Sequence, residues 1–418
     1  MSKITSTDPT AKALEVVGAS GQSVNIFEVK TAAGAVALSV SAAGVPSVGA
    51  IAKYNVKEYG AVGDNTTDDS AAIQAAIDAC YASASSGVVY FPEGSYLCKT
   101  SIQIKVKSGK GLIIEGTGRG SLIGSYPDND PGVFYYDGSG TSCEGLIIKN
   151  LNISGYGSHH PCLYLKDVAY FRLENLWLHN CNSGTYDPSD ADAHGLYMNN
   201  CVSGAVINCD FDYNRGYGAY LWTEATPPHG QNNAIVFTRC RCGSNVAGGF
   251  FNYLGVSDVF EACCAEGNTG NGFDLKGTNS NVLIGPECEL NGTDHIHLYD
   301  SNKSTTIISP YGDSSAIGVH IESSTGDLIV GTQMAGGVLV DALAGAGSTI
   351  LSEATVTNNG LARVITTTST PVRYVSSAAA SPPALSVNGE VVVWWDETNS
   401  KSYLMIRAHG ATTKVECT

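Results

Sequence analysis

Residues 207–222, INCDFDYNRGYGAYLW, decide the fold. In CDFD, Cys209 and Phe211 are apolar while Asp210 and Asp212 are polar, the period-2 pattern of a half-buried strand. Asn214, Gly216 and Gly218 mark a bend, because Asn and Gly tolerate left-handed backbone at low cost. AYLW then reads as a second strand. The unit recurs upstream as NLNISG…CLYLKD and NLWLHN…GLYMNN. Downstream it recurs as RCRCGSN…GFFNYL, CCAEGN…GFDLKG, PECELN…HIHLYD and PYGDSS…GVHIES. A repeat of roughly 23 residues, lengthening to roughly 31 to 33 between Asn175 and Arg239, means stacked supersecondary units. Short strands without helical periodicity make each unit one coil of a parallel β-helix.

Composition narrows the partners. The chain has 418 residues and a formal net charge of −16. That charge disfavours nucleic acid and anionic membrane, and a strongly polyanionic polysaccharide unless a metal or a basic strip intervenes. The start, MSKITSTDPTAK, lacks an apolar signal core, and no run is long enough to span a membrane, so no membrane insertion is expected. Of 13 cysteines, Cys209, Cys240 and Cys263 share one inward column and Phe211, Cys242, Ala265 and Cys288 the next. They read as stacked interior thiols without disulfides, assembled in a reducing cytoplasm, and RCRC and ACCA are too tight for zinc.

Residues 1–50 alternate apolar and polar residues around Gly-centred turns, giving two or three thin strands with too little bulk to fold alone. The segment resembles the fibre-like head of phage tail proteins, with FEVK and a later LSV strand. Residues 51–356 form the β-helix, opened by a helix near 68–82 in which Asp68, Asp69 and Ser70 cap the start and Ile73, Ala76, Ile77 and Cys80 face inward. The stretch YNVKEYGAVGDNTTDDSAAIQAAIDACYASASSGVVYFPEGSYL resembles the opening of the pectate-lyase-like right-handed β-helix superfamily, in which a capped helix closes the coil. Capping and turn formation account for Asp64, Asp68 and Asp69. Residues 357–418 carry linker-like TTTSTPV and SSAAASPP, then a small set of strands that reads as a trimerisation or accessory element.

Two asparagine ladders fall at the bends: Asn150, Asn175, Asn208, and Asn214, Asn245, Asn268, Asn291. Each residue is expected to supply both an awkward backbone conformation and a side chain that bonds the next coil. Three insertions, 155–161, 182–195 and 223–233, break the regularity on neighbouring coils, and insertions cluster on a binding face.

Aligned repeats predict the outward residues. On the second strand one column runs Tyr164, Tyr197, Tyr220, Phe251, Asp274, His297, His320, and the next Lys166, Asn199, Trp222, Tyr253, Lys276, Tyr299, Glu322. Aromatic rings about 4.8 Å apart form a strip on which sugar C–H faces stack, or that an oligomer buries. On the first strand the columns are Trp177, Asp210, Arg241, Cys264, Glu287 and His179, Asp212, Gly243, Glu266, Glu289. Asp210 and Asp212 lie about 6.6 Å apart along one face, within the spacing of the two carboxyls of a glycosidase. They are the predicted catalytic pair, with Glu224, Asp192 and Asp274 as rivals; the bland alternative is a set of solvated charges that keep the coil soluble. Tyr164, Tyr197, Tyr220, Trp222, Phe251, Tyr253, Arg215, Lys276 and His194 are the expected substrate contacts. His194 is either a general base or a hydrogen-bonding group. DPSDADAH is an irregular calcium candidate, but no metal or cofactor is assigned.

The fibre-like head, helix-capped coil and β-rich tail together resemble a bacteriophage tailspike. That resemblance implies a homotrimer in the virion tail, attached through its N-terminus to a phage tail or baseplate protein and acting outside the cell on a bacterial surface polysaccharide. Of the pectinase motifs only His194–Gly195 matches, so no pectinase residue is carried over. An endo-glycosidase on capsule or O-antigen, a polysaccharide lyase and a non-enzymatic receptor-binding fibre protein all remain open.

Overall fold

The computed structural model describes residues 52–352, apart from 84–85, 108, 126–130, 139–142, 157–158, 182–192, 225–229, 314–315 and 342–343. It also describes the strands Phe27–Lys30, Val36–Val40, Pro46–Val48, Val356–Asn358, Arg363–Thr366, Arg373–Ser377, Val391–Asp396, Lys401–Ala408 and Ala411–Cys417. Asp192 and the DPSDAD stretch lie outside the described residues.

Each regular coil is built from three short strands. In the deciding stretch these are Ala205–Ile207, Asp210–Asp212 and Tyr217–Trp222. In the regular coils the first two strands, read in sequence as one, stack into a 21-stranded sheet whose outward side is the first-strand face, and the third, the second strand of the sequence repeat, stacks into an 11-stranded sheet whose outward side is the second-strand face. Both sheets are parallel throughout the coils, and the chain is a right-handed parallel β-helix. The predicted columns are reproduced residue for residue, as in Tyr197↔Tyr220↔Phe251↔Asp274↔His297↔His320. Asn208, left-handed at φ 52°, lies between the first two of these strands, whereas at the equally left-handed Asn150 and Asn175 the strand runs on as Leu146–Ser154 and Arg172–His179.

The asparagine ladders divide the labour expected of each residue. Asn150, Asn175 and Asn208 do adopt positive φ. At the next bend the left-handed residues are Tyr213, Ser244, Gly267 and Leu290, one position before each asparagine. The asparagines themselves are buried and bond coil to coil. Asn214 Nδ2 donates to Asn245 Oδ1 at 3.0 Å, Asn245 to Asn268 at 3.0 Å, and Asn268 to Asn291 at 2.9 Å. Each such side chain offers a donor and an acceptor, so an identical residue above and below satisfies both.

Inside the coils, Phe237, Phe250, Phe260 and Phe273 are fully buried and stack or meet edge to face, each contributing about 1.5–3 kcal/mol of burial. The described cysteines are thiols, and all but Cys264 are buried. The helix runs Ser70–Ala82 and buries Ile73, Ala76, Ile77 and Cys80. Its acidic start works differently from a simple cap. Asp68 accepts from the Ser70 N–H at 3.1 Å, whereas Asp69 accepts from the Val62 and Gly63 N–H groups and holds the preceding loop. Asp64 closes its own turn through Thr66 and Thr67. All three acids are thereby occupied by backbone or hydroxyl donors.

Candidate functional site

The outward face of the 21-stranded sheet carries a charged cluster. Parallel register sets Trp177 beside Asp210 beside Arg241, and His179 beside Asp212 beside Gly243 beside Glu266. Gly243 lets the Arg241 guanidinium fold across it; a Cβ there would meet Arg241 at 2.5 Å and Asp212 Oδ1 at 2.8 Å. From that position Arg241 Nη1 donates to Asp212 Oδ1 at 2.7 Å and Nε to Glu266 Oε2 at 3.2 Å. Trp177 Nε1 donates to the other oxygen of Asp212 at 3.2 Å.

The two carboxyls of the pair sit in different surroundings. Asp212 is buried, and burial raises its carboxyl above the ordinary value despite Arg241, with the Asp210 charge pushing the same way. Asp210 is partly open and pairs with the exposed guanidinium of Arg119, which also lies 4.5 Å from the Trp177 ring centre. An exposed pair of this kind is worth little and is easily exchanged for a ligand. Trp177 stacks on His179 at 4.0 Å. Burial pushes His179 down to about 4, so its ring is neutral near pH 7 and packs as a flat support. The two carboxyls thus differ in burial and partners, Asp212 held by Arg241 and Trp177 and Asp210 open beside Arg119, and glycosidic cleavage uses two carboxyls in unlike surroundings.

The outward face of the 11-stranded sheet is organised by rings. Tyr164 stacks on Tyr197 at 4.8 Å, and Tyr220 on Phe251 at 4.6 Å. His194 stacks on Tyr220 at 4.1 Å, and its Nδ1 accepts the Tyr217 N–H at 2.9 Å. The result corrects the expected strip. Tyr197, Tyr220 and Phe251 are only 6%, 3% and 6% exposed, because Tyr164, Tyr217, Trp222 and Tyr253 pack around them. His194 is fully buried, so it supports the ladder as a hydrogen-bonding group and does not face a substrate. Surface is left to the neighbouring column: Trp222 stacks on Tyr253 at 4.5 Å, and Lys276 Nζ lies 5.4 Å and 5.8 Å from the Tyr253 and Tyr299 ring centres.

The rival carboxylates occupy this second face. Glu224 pairs with Lys166 at 2.9 Å and accepts from Asn199. Asp274 is 2% exposed and accepts from the Tyr217 hydroxyl at 2.7 Å and Asn271 Nδ2 at 2.6 Å. Arg215 sits half-buried at the bend, its N–H donating to the Cys181 carbonyl. Asp294, His297 and His320 gather their ligand atoms within 4.8 Å of one another. Sequence reasoning missed Arg119, which comes from 91 residues away, and Asp294, which lies in a bend outside any column. Their only signal was a charge in a turn.

Comparison with known proteins agrees on the fold. The family model for rhamnogalacturonase A/epimerase, pectate lyase-like, matches residues 53–121. Rhamnogalacturonase A of Aspergillus aculeatus is 24% identical over 378 residues, covering 87% of this chain and 78% of the relative. Mannuronan C5-epimerase AlgE4 of Azotobacter vinelandii is 27% identical over 227 residues, 53% of this chain; the match spans 36% of the epimerase's length. A solved structure of a DFA-IIIase mutant from Arthrobacter chlorophenolicus superposes with a TM-score of 0.53 at 13% identity, covering 82% of this chain and 84% of that one. No helix among the described residues is long and apolar enough to cross a membrane.

Proposed function

We propose that this chain, which has the pectate-lyase-like right-handed parallel β-helix fold, is an endo-acting glycosidase that shortens a bacterial surface polysaccharide on its first-strand face. The observation that carries the reading is the Asp210–Asp212 pair: two carboxyls on one strand, one buried and raised, the other open beside an indole. Asp212 is the proton donor to the glycosidic oxygen. Asp210, released from Arg119 by the incoming sugar, attacks the anomeric carbon or deprotonates the attacking water. Trp177 offers the ring face and Arg241 holds Asp212 in place. The relatives named for rhamnogalacturonase and mannuronan epimerase activity support a polysaccharide as the class of substrate.

The wider setting is a tailspike: a homotrimer fixed to a phage tail or baseplate protein by its N-terminus. Support comes from the thin antiparallel strands Phe27–Lys30, Val36–Val40 and Pro46–Val48 and from the four-stranded sheet of Arg373–Ser377, Val391–Asp396, Lys401–Ala408 and Ala411–Cys417. Neither carries enough bulk to stand alone. Light scattering should give a trimer mass; a monomer contradicts the tailspike setting.

The test of the activity is incubation with a panel of bacterial capsule and O-antigen polysaccharides, followed by product sizing and ultraviolet absorbance. Shortened chains without new absorbance are expected. Absorbing products would mean elimination, since a lyase leaves a double bond. A polysaccharide bound but never shortened would mean a receptor-binding protein without catalysis.

A further inference from the structure

Cleavage at the first-strand face leaves one outward cluster unused, at the far end of the second-strand face. His297 and His320 stand on successive coils and stack with centroids 4.8 Å apart and 14° between planes. Asp294 Oδ2 lies 2.7 Å from His320 Nδ1 and 3.9 Å from His297 Nδ1. The outer nitrogens face carboxylates too: His297 Nε2 is 2.8 Å from Glu322, and His320 Nε2 is 3.3 Å from Asp341.

The inner nitrogen of His297 is crowded as well. Asn271 Nδ2 lies 3.4 Å from His297 Nδ1. His297 Nδ1 also lies 3.6 Å from Asp274 Oδ1 and 3.9 Å from Asp294 Oδ2. Four carboxylates surround two imidazoles, so the cluster stays negative even with both rings protonated. The three central side chains are 13–16% exposed, which lets an ion reach them.

We propose that Asp294, His297 and His320 form a binding site for a divalent transition-metal cation of the zinc class. Two imidazoles and one carboxylate suit such an ion, whereas calcium and magnesium take oxygen ligands. Glu322 orients the His297 ring from behind through Nε2, as carboxylates do behind metal-bound histidines, and Asp341 lies 3.3 Å from His320 Nε2. Ligand atoms around a tetrahedral ion would stand about 3.3 Å apart, so small side-chain rotations close the site. Binding takes the place of the proton that His320 shares with Asp294 and releases it to solvent. The site does not depend on the cleavage reading, because none of its residues belongs to the Asp210–Asp212 cluster.

The full chain, stripped with a chelator and desalted, is titrated with Zn²⁺ by calorimetry, and bound metal is counted by mass spectrometry. One equivalent per chain is expected, with affinity reduced about 100-fold or more in a His297→Ala/His320→Ala double variant. Asp294→Asn, nearly isosteric and therefore fold-preserving, should weaken binding in the same direction. The proposal is overturned if the stripped protein takes up no Zn²⁺, if both variants bind it as the native chain does, or if equimolar Ca²⁺ displaces it.

Discussion

The two outward faces of these coils are built on the same spacing and from neighbouring strands, yet they close in opposite ways. On the second-strand face, rings at the coil repeat find one another. Tyr197, Tyr220 and Phe251 pack into a layer that excludes water, and Asp274 is locked beneath it by Tyr217 and Asn271. On the first-strand face, Gly243 interrupts the column and charges reach across the gap. Arg241 spans Asp212 and Glu266, while Asp210 keeps an open edge under an exposed cation–indole pair. Aromatic repetition gives a stack that stabilises itself, and an interrupted column gives a place where a ligand can replace an intramolecular partner. An aromatic strip in a solenoid is therefore not by itself a binding surface.

That contrast breaks most easily at the carboxylates. Asp212→Asn keeps shape and removes the acid, so cleavage should fall about 10²- to 10⁴-fold, while Glu224→Gln and Asp274→Asn stay within about 10-fold of native. A reversed ranking in product-release rates moves the chemistry to the second face. Next in size is the closed stack. Tyr220→Ala empties a buried ring position and should cost about 3–5 kcal/mol in denaturant unfolding, whereas Trp177→Ala should cost under about 1.5 kcal/mol. Equal losses would mean that the two faces are packed alike.

An interior carboxylate provides the reference for burial alone. Asp258 is fully buried, with Oδ1 accepting the Ile235 N–H at 2.9 Å and Oδ2 accepting from Asn252 Nδ2 at 3.0 Å. Burial raises it from 3.8 to about 6. As pH rises through that window the unfolded chain loses this proton first, so native stability falls, by about 3 kcal/mol for roughly two pKa units, and levels off above pH 6. Asp258→Asn should flatten this slope and raise the melting temperature above pH 6, with the Asn252 amide turning over to accept from the new N–H₂ group. Thermal melts between pH 4 and 8 read it directly; an unchanged slope contradicts the assignment. The smallest expected effect is on binding. Trp177→Ala should weaken polysaccharide affinity by about 1–2 kcal/mol and Trp222→Ala by less than half of that, measured by calorimetry on the Asp212→Asn background.

Sequence alone carried the architecture because alternation in strands such as CDFD fixes which residues face out, and a one-residue error would have buried Asp210. Every predicted outward column survived for that reason. The asparagine ladder was legible as side-chain chemistry but not as backbone, since Tyr213 and Leu290 take the left-handed conformation without any residue-type signal. The openness of each face was not legible. It depends on Tyr217 closing the ring layer from the side and on Arg119 arriving from a distant coil, and neither is encoded in the local period.

The location of the bound sugar tests the account most directly. Oxidative footprinting of the Asp212→Asn protein, with and without a polysaccharide that the native protein shortens, reports on indole exposure at both faces at once. The account predicts protection of Trp177 with Trp222 and Tyr253 unchanged. Protection of Trp222 and Tyr253 with Trp177 still open would contradict it.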